Sequence, residues 1–227
     1  MKQTLLILAG VLTATLAQSA TVNWGNLNDT GFANASGIAL PAGNLVRLGY
    51  FTISDLAVQA LALPTSANIA TLNASWHVIA DTTIGTGAGG AAAFFSLASS
   101  PVFSGADFGH QIYIWALNGA TTGTATQQAI FYEPAASNSS WTFPGDNLPL
   151  TTKNIDMGQA KPSLGGTFLA GSYQTSNASV AAAAGGGAYG SINLAAVPEP
   201  CTFALLGLAL IAATGSRRRG GTNRLQS

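Results

Sequence analysis

The sequence predicts a mostly β protein: one β-sandwich-like domain with a single short helix, between an N-terminal signal peptide and a C-terminal transmembrane helix. Short β-branched and aromatic runs recur with turn signals at a spacing of roughly ten residues, which is typical of sandwiches and barrels. The central part is rich in Gly, Ala, Ser, Thr and Asn and poor in Lys and Glu. This composition disfavours a helical bundle.

The N-terminus has three features of a secretory signal peptide. Lys2 supplies a positive charge, an apolar run of twelve residues covers positions 5–16, and small residues follow at Ala17, Ser19 and Ala20. This order of charge, apolar run and small residues is the pattern that precedes signal cleavage. We therefore assign residues 1–20 to a signal peptide and expect export through the Sec translocon.

The body that follows contains nine runs with strand character. The strongest is 111–117, in which both faces are apolar, so we expect it at the centre of a sheet that is covered on both sides. A polar Gly/Thr loop separates it from 128–133, which predicts a hairpin. In chain order the runs cover residues 21–24, 45–53, 76–80, 91–97, 111–117, 128–133, 141–144, 154–157 and 189–195.

One helix is predicted, over residues 56–63. Ser54 is placed to cap its N-terminus and Pro64 to end it. Leu56 and Leu63 fall at helical spacing, which predicts that they pack on the sheet. We assign residues 21–177 to the β-rich domain, and 178–196 to a flexible Gly/Ala-rich connector followed by the last strand.

Charge limits the partners of the body. Residues 21–196 contain seven acidic and three basic residues, which gives a net charge of about −4. A nucleic-acid partner needs a basic face, so the body is not expected to bind nucleic acid. The single cysteine, Cys201, lies outside the body, which therefore has no disulfide of its own.

The C-terminus has three unlike parts in a fixed order. The two prolines of the first part lack an N–H and fix φ, which makes it an extended, exposed segment. Residues 201–216 would span roughly 24 Å as a helix, somewhat short for a hydrocarbon core of ~30 Å. Basic residues stay on the cytoplasmic side, which places the body outside and residues 220–227 inside as a tail. The parts are Val197, Pro198, Glu199 and Pro200, then the apolar run, then Arg217, Arg218 and Arg219.

This arrangement, over residues 197–219, resembles the PEP-CTERM sorting signal of Gram-negative bacteria. The resemblance covers only roughly the last 30 residues of the chain. It implies recognition by an exosortase, a membrane-embedded Cys-dependent transpeptidase, which would cut near Glu199–Pro200. The body would then be released or re-attached at the cell surface. An ordinary single-span anchor with a chance Pro-Glu-Pro is the alternative.

Two motifs in the body could indicate a cofactor site or a metal site. Residues 85–90 match G-x-G-x-x-G, but a dinucleotide site needs a helix there within a βαβ unit, so we expect a hairpin loop. His77 and His110 are the only histidines, with Asp81 and Asp107 nearby in sequence. If 76–80 is a strand, His77 and Asp81 share a face and could meet. A metal site needs three or four ligands, so we expect neither metal nor cofactor.

Catalytic signals are weak. No G-x-S-x-G motif is present, and the seven acids of the body do not cluster in sequence as a glycosidase pair. We assign no catalytic residue and expect a protein that is not an enzyme. Aromatic side chains could instead stack on sugars. The alternative is core packing, which explains Trp76 and Trp115 well. Trp141, beside the polar residues 138–140, is the best candidate for an exposed stacking side chain.

We therefore expect an exported cell-surface or extracellular-matrix protein with a non-catalytic body. The family context implies biofilm and exopolysaccharide settings. A carbohydrate-binding module for exopolysaccharide is the second hypothesis, and a secreted hydrolase the third. Exposed Trp141 and tyrosines in a row would favour the second hypothesis. Two carboxylates within roughly 5–10 Å of each other in a cleft would favour the third.

Overall fold

The computed structural model describes residues 21–26, 29–99, 105–143 and 152–197. Within these ranges the chain is mostly β, as the sequence predicts. Its strands are β1 Thr21–Gly25, β2 Thr30–Ala33, β3 Leu45–Phe51, β4 Trp76–Thr83, β5 Ser96–Ser99, β6 Tyr113–Leu117, β7 Gln127–Tyr132, β8 Thr152–Asp156, β9 Thr167–Ala170, β10 Ser172–Gln174, β11 Gly190–Asn193 and β12 Ala195–Ala196. Its α-helices are α1 Asp55–Ala60, α2 Ser66–Ala74 and α3 Ala178–Ala183, and 3-10 helices cover Ser139–Trp141, Met157–Ala160 and Pro162–Leu164.

The main sheet has six strands in the order β12-β7-β6-β3-β4, with β9 also paired to β7. β6 lies between β3 and β7 and is antiparallel to both. The predicted central position of this strand and its hairpin with β7 are therefore confirmed. Apolar side chains on both faces of β6, and the short polar loop between β6 and β7, explain why the sequence alone is enough to place them.

Two three-stranded sheets lie apart from the main sheet in hydrogen bonding, with orders β5-β1-β8 and β10-β11-β2. In each, a strand near the N-terminus pairs in parallel with one late in the chain. β1 runs beside β8, and β2 beside β11. The body is therefore closed by its own late strands, which confirms the predicted strands near residues 154–157 and 189–195.

Both faces of the main sheet are covered by apolar side chains. On one face the largest core cluster includes Trp24 of β1, Phe32 of β2 and Ile192 of β11, packed with Leu48 and Phe131 of the main sheet. On the other face, Val58 of α1 and Ile69 and Leu72 of α2 pack in a second cluster with Trp115 and Ile130. The arrangement is sandwich-like, with helices added on the outer face of one sheet.

The predicted helix near residue 56 forms as α1, and Ser54 caps it by accepting a hydrogen bond from the N–H of Ala57 at 3.4 Å. The predicted packing face was wrong. Leu56 is 78% exposed and Leu63 is 53% exposed, whereas Val58 is fully buried. A helix of six residues makes little more than one turn, so one side chain is enough to seat it on the sheet.

Two further helices were not predicted. α2 begins after Thr65, whose hydroxyl accepts from the N–H of Asn68, and it buries Ile69 and Leu72 at helical spacing. α3 lies in the segment interpreted as a flexible connector, and Val180 of this helix is fully buried. The Gly/Ala-rich segment is therefore part of the packed body. The composition of this segment does not reveal that Val180 alone is enough to anchor it in the core.

Three local predictions need correction. Residues 84–90 form turns with no helix after them, and β5 joins β1 in a different sheet from β4, so this loop is a crossover and not a hairpin. The strand predicted at 91–97 is wrong for most of its length, because residues 91–95 are not strand and β5 begins only at Ser96. The edge strand predicted at 141–144 is replaced by a 3-10 helix and a single bridge between Gln111 and Thr142.

The predicted signal peptide and apolar C-terminal segment fall outside the described residues. Within the described ranges, no helix has the length and apolar character needed to cross a membrane.

Candidate functional site

The chain leaves the body through β12. Ala195 and Ala196 pair antiparallel with Gln128 and Gln127 of β7, and the residue before them, Leu194, is only 2% exposed. Val197, the first residue of the predicted sorting signal, is 37% exposed. The body is therefore folded up to the signal, with no linker between them. The rest of the signal, including Pro198, Glu199, Pro200, Arg217, Arg218 and Arg219, lies outside the described residues.

A groove of about 580 Å³ lies beside this exit and is lined by residues 64–66, 123–127 and 196–197. Among the described residues, the lining is Pro, Thr, Ser, Gly, Ala, Gln and Val, with no acidic or basic side chain. We call this the exit groove. Two loops far apart in sequence form it, because the loop between β6 and β7 and the start of α2 meet beside β12. The sequence analysis missed it, since ordinary turn residues carry no signal of a site.

The proposed stacking residue is not at the surface. Trp141 is 0% exposed and packs with Phe131, with ring centroids 6.3 Å apart. The other tryptophans, Trp24, Trp76 and Trp115, are at most 9% exposed. The large apolar side chains that are exposed in the described ranges are aliphatic. The best candidate for an exposed stacking side chain is therefore buried, as the core-packing alternative expects, and the aromatic platform that would favour a carbohydrate-binding module is not found in the described part of the chain.

The two histidines instead enclose a tyrosine. Tyr50 of β3 stacks on His110 with ring centroids 4.1 Å apart and on His77 with centroids 4.7 Å apart. The Tyr50 hydroxyl donates to Oδ1 of Asp107 at 3.2 Å, and His77 Nε2 lies 3.0 Å from the same oxygen. Asp107 is 3% exposed. Burial raises the pKa of Tyr50, and the negative charge of Asp107 raises it further.

His77 and Asp81, which could have met on one face of a regular strand, do not meet, for a reason visible in the strand pairing. β4 carries one extra residue, Ile79, between its pairs with Leu48 and Gly49 of β3. Such a bulge reverses which face the following residues take. Asp81 therefore lies on the other side of the sheet from His77 and binds Arg47, with Nε 3.0 Å from Oδ1.

This histidine cluster does not have the geometry of a metal site. No group of three or more His, Cys, Asp or Glu side chains in the described ranges is placed to hold a metal. The contacts of His77 and Tyr50 with Asp107 and His110 attach the start of β4, and β3 beside it, to the segment before β6.

A second polar cluster holds α1 on the sheet. Asp55, the first residue of α1, accepts hydrogen bonds from the hydroxyls of Tyr113 on β6 and Tyr132 on β7, each at 2.7 Å. Burial, followed by the hydrogen bond to Asp55, raises the pKa of Tyr132 to about 12 and the pKa of Tyr113 well above its ordinary value. Both phenols therefore stay neutral donors over the whole physiological range.

Alkaline pH should break this cluster. A tyrosine in the unfolded chain has a pKa of about 10. Because the folded-state pKa of Tyr132 is raised to about 12, its stabilising contribution is complete below pH ~10 and is lost as the pH rises towards ~12. We expect Tyr132→Phe to flatten the fall in the free energy of unfolding over this window, measured by urea denaturation at a series of pH values. An alkaline profile identical to wild type would contradict the Asp55 contact.

The carboxylates of Asp29, just before β2, and Asp156, at the end of β8, approach each other, as a hydrolase would require. Asp29 Oδ1 and Asp156 Oδ1 flank Gly158, at 2.5 and 3.2 Å from the position that a Cβ on this glycine would take. Asp29 binds the Lys161 ammonium and accepts from the Thr30 hydroxyl, and Asp156 caps a 3-10 helix by accepting from the N–H of Gly158. The Lys161 pKa is raised by its hydrogen bond to Asp29. These contacts are those of a structural ion pair.

Comparison with known proteins identifies the C-terminal segment. Residues 196–219 match the model of the PEP-CTERM protein-sorting motif. This confirms the motif recognised from Val197 to Arg219, and it implies a sorted protein that is exported, held as a membrane-anchored precursor and processed by an exosortase. Comparison with curated proteins and with solved structures gives no match. Any function of the body is therefore argued from its own residues.

Proposed function

We propose that this PEP-CTERM protein delivers a non-catalytic β-rich body to the cell surface or extracellular matrix. In this proposal the N-terminal signal peptide directs the chain to the Sec translocon. The apolar segment after Pro200 then holds the precursor in the inner membrane, with Arg217, Arg218 and Arg219 on the cytoplasmic side. An exosortase cuts near Glu199, and the body is released or re-attached outside.

The observation that carries this proposal is the join between β12 and the sorting motif. The last ladder pair, Ala196 with Gln127, lies at the first residue of the matched motif. A cut near Glu199 therefore removes the whole apolar segment and leaves every described strand in place. Since no core residue in the described ranges lies beyond Leu194, the body loses none of these buried contacts on processing.

A non-catalytic body is supported by the state of its polar clusters. Asp29 and Asp156 are engaged by Lys161 and Gly158, and Asp107 is engaged by Tyr50 and His77. Each cluster joins two elements of the fold. Exopolysaccharide as a ligand is still a prediction. The acidic charge of the body makes nucleic acid a poor partner.

The test is the intact mass of the protein recovered from the cell surface and the medium. We expect a wild-type form that ends near Glu199, and we expect Glu199→Ala to keep the full apolar segment and remain in the inner membrane. Arg224→Ala, which lies beyond the matched motif, serves as the control and should be processed like wild type. A wild-type protein that keeps its arginines in the inner membrane would overturn the proposal.

A further inference from the structure

The exit groove and the sorting motif have two residues in common. Ala196 and Val197 line the groove and are also the first two residues of the matched motif. We propose that the exit groove, formed by residues 64–66 and 123–127 beside β12, is a docking surface for the membrane-embedded enzyme that processes the motif. This inference rests on the proposed function, and it adds a part of the folded body to what that enzyme recognises.

Glu199, where the enzyme would cut, lies only three residues beyond Ala196, the last paired residue of the described body. Ala196 is fixed to Gln127 in the main sheet. Even a fully extended chain spans at most ~3.6 Å per residue, so Glu199 lies within roughly 11 Å of the last ladder pair. A small protein domain is about 30 Å across. An enzyme with its reactive group at Glu199 must therefore contact the surface around Ala196 while β12 stays paired.

The chemistry of the groove favours a protein partner over the lipid surface. Anionic headgroups are attracted by Lys and Arg side chains, and the lining contains neither. The lining is small and mixed polar and apolar, and the exposed Leu63 immediately precedes it in sequence. The core of a protein interface is depleted in charged side chains, as is the described lining of this groove.

The test places a charged side chain in the groove without disturbing the fold. Gly123 has no atom nearer than 3.9 Å to the position of an added Cβ, and its φ is not positive, so Gly123→Arg should fold normally. Gly105→Arg is the matched control. An added Cβ at Gly105 meets no described residue within 4 Å. Gly105 precedes β6 in the chain, whereas Gly123 follows it.

The measurement is a pulse-chase of full-length precursor and processed protein in cells that contain the processing enzyme. We expect Gly123→Arg to slow processing about tenfold, because an unpaired charge would have to be buried in the contact. Gly105→Arg should be processed at the wild-type rate. Limited proteolysis of the accumulated Gly123→Arg precursor should give the wild-type pattern, which shows that the body is folded.

The outcomes separate this inference from the proposed function. If wild type is processed and Glu199→Ala is not, but Gly123→Arg matches wild type, the docking surface is wrong and the enzyme reaches Glu199 after β12 detaches. If Gly105→Arg slows processing as much as Gly123→Arg does, the effect of the added charge is not specific to the groove, which also overturns the inference. If wild type is never cut, the proposed function itself fails.

Discussion

Trp141→Ala is expected to lower the free energy of unfolding by about 3–5 kcal/mol, among the largest effects that a single core truncation produces. The side chain is fully buried in the main cluster, against Phe131 and beside Phe143. Removing it leaves a cavity that the rigid strands around it cannot fill. A tryptophan at the surface that only stacks on a ligand would change stability by no more than about 0.5 kcal/mol. Urea denaturation therefore separates a core role from a ligand-binding role.

Trp141→Phe is the matched control. The indole Nε1 of Trp141 is buried with no hydrogen-bond partner in the described part of the chain. Phenylalanine keeps an aromatic ring and removes this unpaired N–H, so we expect it to cost less than about 2 kcal/mol. If Trp141→Ala were as stable as wild type but no longer bound exopolysaccharide, the stacking role would be restored and the core placement would be wrong.

The buried position of Trp141 shows what the local sequence leaves undecided about the direction of a side chain. Polar residues 138–140 do form a turn, a 3-10 helix that the Asn138 side chain caps by accepting from the N–H of Ser140. The same turn directs Trp141 inward, because this residue comes last in the turn. Polar neighbours predict that a segment is near the surface. They do not predict which way its final side chain points.

The main sheet could be predicted further than the two small sheets. β6 and β7 are close in sequence, apolar on both faces and separated by a polar loop, so their pairing follows from local pattern. By contrast, β1 pairs with β8 in the register Thr21 with Thr152, and β2 pairs in parallel with β11. These partners are distant in sequence and short, and β2 lies in a turn-rich stretch. No local property specifies such parallel partners.

The candidate site also has one part that could be predicted from the sequence and one part that could not. The sorting motif could be recognised because its parts are local and ordered along the chain. The exit groove could not, because residues 64–66 and 123–127 become neighbours of Val197 only through the pairing of β12 with β7. Likewise, the contact of His77 with Asp107 depends on the bulge at Ile79, and a strict two-residue alternation predicts Asp81 instead.

Gly49→Ala tests that bulge directly, and it should cost about 3 kcal/mol or more. Gly49 lies in β3 between β4 and β6, and a Cβ there would be 2.2 Å from the carbonyl oxygen of His77 and 2.7 Å from Cζ2 of Trp76. The first of these is a backbone atom in a paired strand, which cannot rotate away. β4 would have to shift, and the contact of His77 with Asp107 would shift with it.

Urea denaturation at neutral pH gives the free energy, and an unchanged m-value would show that the same surface is still exposed on unfolding. Gly105→Ala is the control, because an added Cβ at Gly105 meets no described residue within 4 Å and its φ is not positive. It should stay within about 0.5 kcal/mol of wild type. If Gly49→Ala were as stable as this control, β3 and β4 could not approach as closely as the bulge requires. The reversal that separates His77 from Asp81 would then need another cause.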